Sequence, residues 1–158
     1  MAIINAQGQE VADSWSAAAP GAAPAAYTII SLAELPPPGS PLPAPLGVQI
    51  PPGAALEAIA SRLGSFALIA IEFPKFRDGR GFTLARNLRL KYGFTGEIRA
   101  VGHVIPDQFA ALLRCGFSTL STSPEHPAAQ WRLASSTPDT PAHPGQLLSR
   151  LMSRGLAA

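Results

Sequence analysis

The chain reads as one α/β domain on a small parallel sheet of repeated βα units, and three observations predict it. "FALIAIEF", residues 66–73, is an apolar run of strand length with Glu72 its one polar residue, the pattern of a strand covered on both faces. Strand-like and helix-like segments alternate from residue 46 to residue 123. Glycine and proline punctuate that alternation where turns and helix ends fall. Right-handed crossovers join such strands. An open sheet and a half-barrel satisfy the pattern equally.

Three stretches follow from the composition: an N-terminal hairpin and Pro-rich strap over 1–45, the α/β core over 46–123, and a Pro-rich tail over 124–158. "IINAQGQEV" places a turn at Gln7–Gly8 between β-prone pieces, Ala2–Ile4 and Glu10–Val11, predicting a short hairpin. Residues 17–26 are rich in Ala, Pro and Gly and read as loose, whereas "YTIISLAEL" (27–35) reads as a strand running into a turn. "PPPGSPLPAP" (36–45) lacks the N–H donors of helix or central strand and reads as a linker or surface strap.

In the core, "LGVQI" (46–50) is a buried-type strand and "AALEAIASRL" (54–63) a helix with Leu56, Ile59, Ala60 and Leu63 inward. After the 66–73 strand comes a helix over Phe82–Lys91, with Leu84, Ala85 and Leu88 inward and Arg86, Asn87 and Arg89 largely outward. "EIRAVG" (97–102) is the next strand, and "PDQFAALLRCG" (106–116) a helix with Pro106 in its first turn and Gly116 as its stop. "FSTLST" (117–122) closes the sheet, and "GQLLSRLMSRGL" reads as a short terminal helix.

Charge is unevenly placed. Residues 1–61 hold four acids (Glu10, Asp13, Glu34, Glu57) and no Lys or Arg, so all 12 basic residues lie in 62–158. A basic half attracts anionic ligands or acidic partners. Without interleaved aromatics it does not make a nucleic-acid footprint. The single cysteine, Cys115, excludes an internal disulfide and Cys-rich metal sites, and His126 and His143 lack ligand spacing, so neither metal nor cofactor is expected. No signal-peptide or spanning pattern is present, which predicts a cytoplasmic protein that does not enter membranes.

The candidate site is "EFPKFRDGRGFTLARNLR", residues 72–89, where a strand ends and a helix begins. Ligands collect at the carboxyl ends of parallel strands. Lys75, Arg77 and Arg80 supply charge, Gly79 and Gly81 close backbone approach, and the helix start supplies free N–H groups. Asp78 pairs with an arginine or caps the helix; His103, ending the next strand, faces the same mouth. The segment is therefore either an anion cradle for sulfite, sulfate, phosphate or a carboxylate, or a partner-facing loop. Glu72 is a candidate base or ion-pair partner, and Cys115 reads as buried packing. The Gly79–Leu84 string lacks the third glycine of a dinucleotide fingerprint, and no Gly-Lys-Ser/Thr makes a Walker A loop.

"VADSW", "LGVQIPPGAALEAIASRL" and the series DGRGF–AR–LR–GFTGE–RAVG–RCGF resemble a bacterial family labelled a domain of unknown function, over about residues 3–123. Genes of that family commonly neighbour those for assimilatory sulfite reductase and phosphoadenylyl-sulfate reductase. The resemblance implies a role in sulfate assimilation, with sulfite reductase or another enzyme of that route as partner, and it brings no catalytic residue. This chain departs from the family's usual Asp or Asn at His103 and from its frequent Asp at Ser118.

Overall fold

The computed structural model describes residues 1–136. Eight strands form one sheet: β1 (Ile3–Asn5), β2 (Glu10–Val11), β3 (Ser16–Ala17), β4 (Thr28–Ser31), β5 (Leu46–Ile50), β6 (Phe66–Phe73), β7 (Glu97–Gly102) and β8 (Thr119–Ser121). Their spatial order is β2-β1-β8-β7-β6-β5-β4-β3. Neighbours from β3 to β8 are parallel, while β1 runs antiparallel to both β8 and β2. Because β3 to β8 follow one another in space as in sequence, right-handed crossovers all fall on one face. The crossover helices α1 (Arg80–Leu90) and α2 (Phe109–Arg114) therefore share that face, and α3 (Ala128–Ser136), after the last strand, packs beside α2 on the same core. The sheet curls into an open half-barrel, which resolves the choice the sequence pattern leaves open.

The core lies between sheet and helices: Ile30, Val48, Ile69, Ile71, Phe73, Ile98, Ala100 and Leu120 meet Leu84, Leu88, Phe109, Leu112 and Trp131. Leu68 and Ala70 are also fully buried, on the opposite face of β6, as the apolar run predicts. The hairpin at residues 3–11 forms as expected, and the region expected to be loose contributes β3 at its start.

Three expectations are corrected. Residues 54–63 do not form an α-helix; two 3-10 segments, Leu56–Ala58 and Ala60–Ser65, still bury Leu56, Ile59 and Leu63. A three-residue period places Leu56 and Ile59 one above the other, so it serves the same apolar pattern. Arg89 is not outward: it turns beneath α1. Finally, α3 lies within the stretch read as a Pro-rich tail, and its Trp131 is fully buried against Phe109, with ring centroids 5.8 Å apart. Pro127 immediately precedes this helix, where a missing N–H costs nothing. The terminal helix expected from "GQLLSRLMSRGL" lies outside the described residues.

The Pro-rich strap at 36–45 is tied to the body by Arg62, whose Nη1 donates to the Pro36 carbonyl at 2.6 Å, while Leu35 and Leu42 pack on the core.

Candidate functional site

The carboxyl ends of β5, β6 and β7 lie side by side, and their loops form one corner. Gly102 makes the approach possible: its φ is +95°, and a Cβ there would lie 2.5 Å from the Phe73 carbonyl oxygen. The chain then reverses so that the His103 N–H donates to that same oxygen at 2.7 Å. His103 and the loop after Phe73 thus leave the sheet from a common point, both solvent-exposed. Gln108, beyond β7, reaches across and donates from Nε2 to the Phe76 carbonyl at 2.5 Å. From the β5 side, a Cβ on Gly53 would stand 3.5 Å from Arg80 Nη1.

Within the loop, Asp78 and Arg80 satisfy each other. Arg80 donates from Nε to Asp78 Oδ1 at 3.0 Å and from Nη2 to Oδ2 at 2.7 Å, and its backbone N–H donates to Oδ1 at 3.1 Å. One carboxylate thereby fills both the guanidinium fork and the first amide of α1, where an external oxyanion would bind. The hydrogen bonds and charge of Arg80 hold the Asp78 carboxyl below the usual aspartate range, and Asp78 in turn raises Arg80. Lys75 and Arg77 are exposed and make no ion pair among the described residues. Arg77 lies over the Phe76 ring, 5.3 Å from its centroid.

The two glycines differ. A Cβ on Gly79 would meet nothing within 4 Å, whereas one on Gly81 would stand 2.6 Å from the Phe73 ring. Gly81 is small so that α1 can lie on Phe73, which also packs edge-on against Phe82 at 5.4 Å. Glu72 is half-buried on β6 and forms no ion pair among the described residues, so the expected arginine partner is not there. Cys115 is half-buried, and desolvation raises its thiol pKa against the pull of Arg86 and Arg114.

Two further features escape a reading by motif. On the face opposite the helices, buried Arg99 bonds both oxygens of Asp13 at 3.0 Å and Glu97 Oε1 at 2.9 Å, and Thr119 donates to the same Glu97 oxygen. A cleft of about 390 Å³ lies between the start of α2 and α3, lined by Ile105, Asp107, His126 and Gln130 among others. His126 Nδ1 and Gln130 Oε1 are 2.9 Å apart at its side. Among the described residues no group of three or more His, Cys, Asp or Glu is placed to hold a metal, and no helix is long and apolar enough to cross a membrane.

Fold and corner together define a one-domain α/β half-barrel protein with an exposed basic loop at the carboxyl edge of its parallel strands. The family model for DUF934, a bacterial protein of unknown function, matches residues 47–140, and the chain belongs to that family. The matched stretch starts within β5 and takes in α3, so it holds every residue of the candidate corner. Comparison with curated proteins gave no match.

Proposed function

We propose that this protein is an accessory of assimilatory sulfate and sulfite reduction that acts beside sulfite reductase by docking. The observation that carries this reading is how the family motif is used. Gly81 seats α1 on Phe73, and Gly102 seats β7 on β6. Arg89 bonds the carbonyls of Phe94, Gly96 and Gly116, and Arg99 binds Asp13 and Glu97. These residues hold the fold, and what they hold out is an exposed, cationic, internally braced loop. The gene neighbourhood implied by the motif resemblance supplies the pathway, and a basic surface suits an acidic partner. Co-purification of the tagged protein with sulfite reductase is the expected result, with a growth defect on sulfate that cysteine relieves when the gene is deleted. A deletion strain growing equally on both sources would remove this reading.

A second reading is favoured by the Asp78–Arg80 pair itself. A corner in which Arg80 already holds one carboxylate suits a small oxyanion, and this reading takes Lys75, Arg77, Gly79 and His103 as the further groups that would meet it. Here the protein is an oxyanion-binding enzyme or binding protein. Titration of sulfite, sulfate and phosphate against wild type, Asp78→Asn and Arg80→Ala tests it: freeing the fork should tighten binding and removing it should abolish binding. Identical behaviour of the three proteins would sink it.

A further inference from the structure

We infer that Phe76 is the anchor of a protein-docking surface whose partner offers an apolar pocket rimmed by carboxylates; this rests on the accessory reading above. The chain has seven phenylalanines. Five are buried (Phe66, Phe73, Phe94, Phe109, Phe117) and Phe82 is half-buried against Phe73 and Phe117, whereas Phe76 is 41% exposed. A ring left 41% exposed gives up much of the burial that a core phenylalanine gains. It sits between Lys75 and Arg77, and the Arg77 guanidinium lies 5.3 Å from its ring centroid. An aromatic with flanking arginine is the composition of interface hot spots.

The loop is also held in shape before any partner arrives. The Asp78 N–H donates to the Lys75 carbonyl at 3.0 Å, closing a turn around Phe76. Gln108 fixes the Phe76 carbonyl from the neighbouring loop, and the Asp78–Arg80 pair fixes the entry to α1. Each bond removes freedom that docking would otherwise have to freeze, so the ring is presented at low entropic cost. The cations around it set the partner's chemistry: carboxylates about an apolar recess. A single exposed ring with a carboxylate two residues away does not make the repeated stacking platform of a single-strand nucleic-acid binder.

The test is binding of the full-length protein to immobilised sulfite reductase holoenzyme across a salt series. Thermal melts confirm that each variant folds, as expected for changes at exposed positions. Phe76→Ala should weaken binding by about 30-fold or more, the loss typical of a hot-spot residue. The double reversal Lys75→Glu/Arg77→Glu should weaken it comparably and flatten its salt dependence. Arg132→Glu, which changes one exposed charge on α3, should leave it unchanged. Wild-type binding that survives Phe76→Ala overturns the docking inference alone, as does an equal loss in Arg132→Glu, which would reduce the effect to net charge. Failure of the wild type to bind removes the accessory reading and this inference with it. Phe76-dependent binding to phosphatidylglycerol vesicles, without binding to the enzyme, overturns the inference in favour of a lipid surface.

Discussion

Arg80 and Asp78 show how one residue pair decides what a corner can do. The Arg80 side chain is 65% exposed, so water screens the pairing and it adds little to stability, yet the titration of Asp78 is diagnostic. Its folded pKa is depressed, so the pairing is present above the unfolded value and is lost as pH falls through the folded one. An NMR titration should find Asp78 below the ordinary aspartate range, and Arg80→Ala should move it upward. An unchanged value in the variant would mean that the bond is not formed in solution. The two glycines beside this pair make a second prediction. Gly81→Ala should destabilise by about 1–3 kcal/mol, because its methyl meets the Phe73 ring in a packed core. Gly79, with open space and a φ of −75°, should accept alanine nearly without loss when both variants are unfolded in urea.

At the scale of the element, legibility followed the directness of the physics. The 66–73 strand was evident because burial on both faces leaves Glu72, near its end, as its one polar position, and Leu84, Ala85 and Leu88 were evident from helical spacing. Arg89 was not, since spacing assigns a Cα to a face but a long side chain can return beneath it. Residues 54–63 carried a pattern that a 3-10 and an α-helix share. Helix α3 was hidden by prolines on either side, whose helix-breaking effect stops at the first turn. The charged loop stood out by its composition, but Phe76 was passed over because an apolar residue in a loop gives no sign of its exposure. Arg89 also yields a prediction. It gathers three carbonyls and Ser118 Oγ, so Arg89→Ala should strand buried acceptors and destabilise by about 2–4 kcal/mol. Arg89→Lys should recover only part of this, as an ammonium lacks the planar fork. Full rescue by lysine would show that charge alone suffices.

At the scale of the molecule, the chain between β2 and β3 joins the two edges of the sheet, and the Asp13–Arg99 pair ties it to the middle strand β7. The partners are 86 residues apart, beyond the reach of any local pattern, so neither their pairing nor the sheet's curl could be read from spacing. Arg99 stands in register with Ala70 on β6 and Thr119 on β8, at the middle of the sheet, and only 6% of its side chain is exposed. A guanidinium there requires carboxylates, and Asp13 and Glu97 supply them from two directions. Glu97 belongs to β7 itself, so Asp13 is the contact that fastens the N-terminal segment across the sheet. Asp13→Asn should therefore cost about 1–3 kcal/mol, with Glu97 still neutralising part of the charge. Its signature should be local: in hydrogen exchange, the amides of β3 and β4 should lose protection while those of β6 keep theirs. Combining Asp13→Asn with Arg99→Met and Glu97→Gln should recover stability relative to Asp13→Asn alone, because neither the guanidinium nor the Glu97 carboxylate is then left as an unpaired charge. Uniform loss of protection in Asp13→Asn would mean that the segment is integral to the core and not a latch upon it.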